Sequence, residues 1–285
     1  MTLLAQPIRG LNKDLSKIIS KLSDGVTPKN IHRLRTTIRR IESLIDYAHP
    51  DLGKKLERSL ETLEELRKRA GKVRNIDVQK KLLDKIGNGS TTRDRKVLLG
   101  ILNKKRERHA ARFNSILAKC ADEKFLSRMD RIAEKVAQVP SATDRPAPLE
   151  EARLQLTRLA DQFSSQSIKP NRLHESRIQL KKIRYLAELA EESPEGKVFG
   201  DEIKAVQDAL GEWHDWETLA GLGEKRFADR ANCALLREVR ALFAARQADA
   251  ISAITRLFAS ASAPAAKKPS SSAVQPLRMS ARRAG

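Results

Sequence analysis

The sequence predicts an all-α protein, internally duplicated as two pseudo-symmetric helical bundles of about four helices each. Three observations carry this. Apolar residues recur at three and four positions along nearly the whole chain, which is the period of a helix with one buried face. Aromatic residues make up only 4% of the 285 residues and glycine and proline together number 24, too few of the residues that build and turn a many-stranded β fold. The same order of motifs also occurs twice.

The first helix carries Ile8, Leu11, Leu15, Ile18, Ile19 and Leu22 on one stripe and stops at Asp24-Gly25. Thr27-Pro28 restarts the chain with a capping hydroxyl and a proline suited to the first helical position. That second helix runs to about Tyr47, before His49-Pro50. A third, with Leu52, Leu56, Leu60, Leu63 and Leu66 inward, is expected to end at Gly71, and a short fourth to end at Ile86 before Gly87-Asn88-Gly89. Longer helices are expected over roughly 92–119 and 122–139. The run Pro140-Ser-Ala-Thr-Asp-Arg-Pro-Ala-Pro148 reads as a linker. Beyond it the order repeats: a helix near 149–166, one near 170–192 stopped by Pro194, a third to Leu210, a short fourth after Gly211, and a long fifth over about 224–259. The expected organisation is a bundle over 1–140, a linker over 141–148, a second bundle over 149–260, and a basic Ala/Ser/Pro-rich tail over 261–285 too polar to fold.

The repeat reaches individual residues. His32-x-x-Arg35-x-x-x-Arg39-Arg40-Ile41 matches His174-x-x-Arg177-x-x-x-Lys181-Lys182-Ile183. From His32 to Gly71 is 39 residues, and from His174 to Gly211 is 37. After the glycines, Lys72-Val73-Arg74-Asn75-Ile76-Asp77 answers Glu212-Trp213-His214-Asp215-Trp216-Glu217.

Charge narrows the function. Lysine and arginine total 56 against 36 acidic residues, a net charge of +20; the acid-free tail holds five of these cations, and the rest of the chain still carries +15. Such a field attracts nucleic acid, acidic membranes or polyphosphate without choosing among them. On the second helix, His32, Arg35 and Arg39 fall within roughly 60° of one another, with Arg40 at the edge of the sector, and Ile31, Leu34, Ile38, Ile41 and Ile45 lie opposite. Like charges at this spacing cost a helix about 0.2–0.5 kcal/mol per pair. A solvated face normally mixes signs, as Glu61, Glu64, Glu65, Arg67 and Lys68 do on the next helix. A single-sign stripe present in both copies therefore points to a bound anion that relieves the repulsion, the alternative being a plain solvated basic face. Farther on, Lys105, His109 and Arg112 share the sector of Leu98, Ile101, Leu102 and Ile116, with Arg108 beside them. Bare burial of these groups is too costly. Either they pair with carboxylates across the bundle, or the stripe opens onto a wet basic cleft.

Cys120 and Cys233 are isolated, which fits a reducing cytoplasm and not a disulfide framework. No charged-then-apolar leader and no run near 18 apolar residues is present, so neither secretion by that route nor membrane spanning is expected. His214 between Trp213 and Trp216 suits a packing role as well as any other. No metal-binding pattern, such as two histidines at i,i+4 with a carboxylate, appears.

These residues resemble the CHAD family, the conserved histidine α-helical domain. The signals are the paired His-x-x-Arg-x-x-x-[Arg/Lys]-[Arg/Lys] helices, Arg74-Asn75-Ile76-Asp77-Val78, and Leu210-Gly211-Glu212-Trp213-His214-Asp215, in the family's order across about residues 5–260. The resemblance implies two four-helix bundles around a basic central cleft or pore, inorganic polyphosphate as ligand, and cytoplasmic association with polyphosphate granules. By position it implies binding by His32, Arg35, Arg39, Arg40, His174, Arg177, Lys181 and Lys182; periodicity adds Lys105, Arg108, His109 and Arg112. Two positions depart from the pattern: His214 answers Arg74, and Asn75 stands where the family more often has Asp. Family members are often joined to a triphosphatase with a Glu-x-Glu-x-Lys signature, which this sequence lacks. The expectation is a binding protein with neither catalysis nor cofactor. Two alternatives stay open. One is non-specific nucleic-acid binding, against which stands the lack of a reading motif or an aromatic platform. The other is an enzyme acting on phosphate chains, with Asp77, Asp208, Asp215 and Glu217 as acids and His214 as base. Those acids are more simply arginine partners within the bundle.

Overall fold

The computed structural model describes residues 4–87, 91–140, 146–163, 170–190, 193–230 and 233–262, and among these every regular element is helical. In chain order the helices are α1 (Ala5–Asp24), α2 (Pro28–Ala48), α3 (Lys54–Lys85), α4 (Thr92–Cys120), α5 (Glu123–Gln138), α6 (Pro148–Asp161), α7 (Pro170–Ala187), α8 (Pro194–Arg226) and α9 (Ala234–Ser262), with a 3-10 turn over Glu188–Ala190. Local chemistry sets several starts. The Thr27 hydroxyl accepts from the Asn30 amide ahead of Pro28, Asp122 accepts from Lys124, and Ser193 accepts from Gly196. His49, at φ 45°, closes α2 in a left-handed cap before Pro50.

The breaks expected at the two glycines are absent. α3 runs straight through Gly71 and α8 through Gly211, so each joins two predicted helices into one. A mid-helix glycine costs about 1 kcal/mol relative to alanine. Apolar anchors on both sides, Val73 and Ile76 in α3 and Leu210, Trp213 and Trp216 in α8, outweigh that penalty. α9 correspondingly starts at Ala234 and not near 224, because α8 continues to Arg226 and turns at Phe227. Of the expected linker, residues 141–145 lie outside the described residues, and Pro148 already opens α6. The tail beyond Ser262 also lies outside them, as do 164–166 and 191–192 of the expected helices.

Apolar side chains segregate into three clusters. The first joins α1, α2, the first part of α3, the end of α4 and α5; the second joins α6, α7, the first part of α8 and the end of α9. A third unites the far part of α3 (Ile76, Leu82, Leu83) and the start of α4 (Leu98, Leu102) with the far part of α8 (Trp216, Leu219) and the start of α9 (Leu235, Val239). Burying each such leucine contributes about 1.5–3 kcal/mol. α3 passes between clusters at Val73–Ile76, α8 at Trp213–Trp216, and α4 between Leu102 and Phe113. Polar and charged residues occupy these three crossing points: Arg74 and Asn75, His214 and Asp215, and Lys105 to Arg112.

Candidate anion-binding site

α2 and α7 pack together with α3 and α8 alongside, which brings the two basic stripes face to face. Arg35 is pushed down to about 10 by burial first, then by Arg39, Arg177 and Arg74, with Tyr185 opposing. Arg39 is lowered by burial and then by Arg67, and Arg177 by burial and then by Arg39, against the pull of Asp215 and Glu217. Burial followed by Arg177, Arg39 and Arg35 drives the Lys181 ammonium down to about 6, Asp215 again opposing. Asp215 is itself raised by burial while Arg177, Arg74, Lys181 and Arg35 act to lower it.

The cluster is short of negative charge. Arg35, Arg74, Arg177 and Lys181 act on Asp215, and Arg39 acts in turn on Arg35, Arg177 and Lys181. Glu42, beside Arg39, already accepts from Arg67 Nε at 2.7 Å, and Glu217 is taken by His174 and His214. Buried Nε atoms of both Arg35 and Arg177, the matched positions of the two stripes, have no hydrogen-bond partner. An unmade bond to such a donor costs about 1–3 kcal/mol, more when it is charged. Gly71 lies under the Arg35 guanidinium, where an added Cβ would be 3.7 Å from Nε. The histidines sit at the margin. Burial, then Arg74, Arg35 and Arg184, lower the pKa of His32, which is exposed on α2. His174, half-buried, stacks 4.8 Å from the Trp213 ring. His214 is pushed down to about 4 by burial, then by Arg177, His174 and Lys181.

One turn further along α8 the cluster leads to a groove of about 360 Å³ between α3, α4 and α8, with Lys72, Lys105, His109 and Lys225 around Asn75 and Thr218. Of the two possibilities for the basic stripe of α4, the open groove is the one realised for Lys105 and His109. His109 Nδ1 is buried without a partner, and its pKa is lowered by burial, then by Lys72, Arg112, Arg108 and Arg69. Arg108 and Arg112 are exposed beside it. Arg106, on another face of α4, is the residue that meets a carboxylate, donating to Asp77 at 2.7 Å.

Two predicted site residues are directed elsewhere. Arg40 donates to Glu188 on the 3-10 turn at 2.6 Å, and Arg184 holds the same carboxylate at 3.1 Å. Lys182 is exposed and lines a separate groove of about 790 Å³ between α2, α6 and α7, beside Asp46, Glu151 and Arg158. Each is the chain neighbour of a cluster residue, and the 100° step of a helix turns it away. Conversely, sequence reasoning left Arg74, Lys72, Lys225 and the counter-charge Asp215 out of the site. Arg74 and Asp215 follow the repeated glycines closely, a signal that marks them in hindsight; nothing in the sequence marks Lys225. Of the acids considered for catalysis, Asp77 pairs with Arg106, Glu217 with two histidines, and Asp208 is exposed.

The lack of an i,i+4 histidine pattern also concealed a grouping drawn from two helices. His174 of α7 with His214 and Glu217 of α8 place their ligand atoms all within 4.8 Å of one another. No helix among the described residues is long and apolar enough to cross a membrane.

The fold is shared with solved structures. The CHAD domain from the plant Ricinus communis is 18% identical with a TM-score of 0.65, each chain covered over 90% of its length. PptA from Streptomyces chartreusis is 16% identical with a TM-score of 0.60, over 91% of this chain and 97% of that one. No curated protein matches the sequence. The family model of the CHAD domain matches residues 9–224, most of the length. The chain therefore belongs to the CHAD domain family.

Proposed function

We propose that this protein binds inorganic polyphosphate non-catalytically, through the α2–α7 cluster and the adjoining α3–α4–α8 groove, and associates with polyphosphate granules. One observation carries the reading: Arg35, Arg74, Arg177 and Lys181 gather around the one carboxylate of Asp215, with Arg39 beside them, and two matched guanidinium nitrogens are buried without partners. A phosphate chain supplies about one negative charge per unit and many acceptor oxygens, so it answers both deficits at once. Arginine suits bidentate phosphate contacts, and Lys181 adds a movable charge. Nucleic acid offers the same charges, but its single-stranded forms also call for stacking surfaces. None of the described aromatic side chains is exposed; Trp213 and Trp216 are buried and Tyr185 partly so. Catalysis finds little support, since Asp77 pairs with Arg106, Glu217 is held by two histidines and Asp215 lies among Arg35, Arg74, Arg177 and Lys181.

The test is a salt-series titration of long-chain polyphosphate, with single-stranded DNA as competitor. Log K should fall with log salt by roughly 0.7 per phosphate neutralised. Replacing Arg35 and Arg39 together by alanine should lower that slope by about 1.4 while the thermal transition stays cooperative. A folded double variant with unchanged affinity and slope would reject the site. Equal displacement by DNA would leave a general polyanion binder.

A further inference from the structure

The sequence match that pairs His32 with His174 also pairs Arg40 with Lys182 and Asp46 with Glu188, at the same offset. The structure treats these two pairs differently. Arg40 donates to Glu188 at 2.6 Å, and that contact is closed. Lys182 and Asp46 form no ion pair; both are exposed, and both line the groove of about 790 Å³ between α2, α6 and α7. Aspartate is one methylene shorter than glutamate, and a gap is left where the other pair meets. Tyr47, also on the groove, packs against the first and the second apolar clusters. The groove therefore lies along the seam of the two bundles, where ligand sites preferentially form.

We propose that this groove binds a short zwitterionic peptide, about three residues long with both termini free. Glu151, Gln155, Arg158 and Gln162 fall on one stripe of α6 that faces the groove. The helical rise sets Glu151 and Arg158 about 10 Å apart along the axis. An extended tripeptide separates its two charged ends by about 10 Å as well. Tyr47 donates to the Pro146 carbonyl at 2.9 Å, just ahead of α6, which brings Asp46 to the Glu151 end. Arg172 donates to the Gln162 carbonyl, so α6 and α7 run antiparallel and Lys182 falls toward that end too. Two carboxylates against one ammonium there favour the α-ammonium of a peptide. Gln155 holds one Glu151 oxygen at 2.8 Å, which steadies the carboxylate and leaves its other oxygen for the ligand. Arg158, toward the other end, takes the terminal carboxylate. Gln162 and Gln179 offer amide donors and acceptors to the peptide groups between. Buried Leu159, Ile183 and Leu186 form an apolar floor for short side chains. In a chain of net charge +20, a lining with Asp46 and Glu151 against Arg158 and Lys182 is the wrong balance for a polyanion.

The plainer role for these residues is a solvated polar face, and the experiment separates the two. Trialanine, its N-acetyl form and its C-amide form are each titrated into the full-length protein in phosphate-free buffer at neutral pH. Binding is read by ligand-observed NMR and calorimetry. One trialanine per chain is expected, with a Kd of about 1 mM or tighter. Each blocked form should bind about tenfold more weakly. Arg158→Ala should weaken free trialanine by a similar factor and leave the C-amide form unchanged. Asp46→Asn combined with Glu151→Gln should do the same for the free and N-acetyl forms. These side chains are exposed or half-buried, and an unchanged thermal midpoint shows that the variants are folded. Absence of saturable binding, equal binding of the three forms, or a folded Arg158→Ala protein that binds like the parent overturns the proposal. Long-chain polyphosphate should leave trialanine bound; displacement would make the groove part of the polyanion track and overturn it as well. The groove shares no residue with the α2–α7 cluster, so failure here leaves the polyphosphate titration untouched, and the reverse also holds.

Discussion

Replacing Lys181 with methionine removes a cation whose charge state depends on what fills the cleft. In the ligand-free protein, burial and the facing groups Arg35 and Arg39 of α2 and Arg177 of α7 hold its pKa near 6, opposed by Asp215 of α8. The amine is then mostly neutral at neutral pH. A phosphate beside it favours the ammonium and moves the pKa back toward the ordinary 10.5. Binding above about pH 6 therefore takes up a proton, and affinity falls as pH rises, by up to tenfold per unit, until the bound-state pKa is passed. Between about pH 6.5 and 8.0 this amounts to a loss of roughly twentyfold. The assay is a titration at constant ionic strength with long chains, whose titrating terminal phosphates are a small share of the charge. Calorimetry in two buffers of different ionisation enthalpy counts the proton. The parent should show the decline and close to one proton taken up above about pH 7, and Lys181→Met should show a flatter profile. A parent affinity independent of pH over this range, with no proton uptake, would refute the reasoning. So would a Lys181→Met profile with the parent's slope.

Two further predictions concern the frame that holds the cluster. Gly71→Ala should stabilise the protein by about 0.5–1 kcal/mol, read from the denaturant midpoint, because α3 is continuous there and the added Cβ makes only ordinary contact with Arg35. Gly196→Ala should instead destabilise by about 1–3 kcal/mol. Its Cβ would run into the backbone carbonyl oxygen of Ala190, displacing the turn whose Glu188 ties down Arg40 and Arg184. A thermal midpoint at or above the parent's would contradict this.

Much of the architecture was legible because it is local. The stripe of Ile8 to Leu22, the Thr27 cap before Pro28 and the basic faces of α2 and α7 each depend on residues within a few turns of one another, where the helical period does the sorting. The glycines misled for the same reason. A local penalty of about 1 kcal/mol reads as a break, and only packing on both sides shows that Gly71 and Gly211 lie inside long helices. The site was legible in part. Arg35, Arg39, Arg177 and Lys181 stood out as single-sign stripes, yet Arg40 and Lys182 looked equivalent to them until neighbouring elements were in place.

By itself, then, the sequence determined the helical class, the run of amphipathic faces, the excess of cations and the family, since these follow from residue type and short-range period. Tertiary structure alone decided where the charges converge. The apolar stripes of α3, α4 and α8 pass from one buried cluster to another, and of the polar residues between them Asn75, Lys105 and His109 line one groove. That crossing places Lys105 and His109 on a groove with Lys72 and Lys225, sets Asp215 among four cations, and gathers His174 with His214 and Glu217 from two helices. Helical period fixes the direction of a side chain about its own axis, and what waits there depends on how distant helices pack.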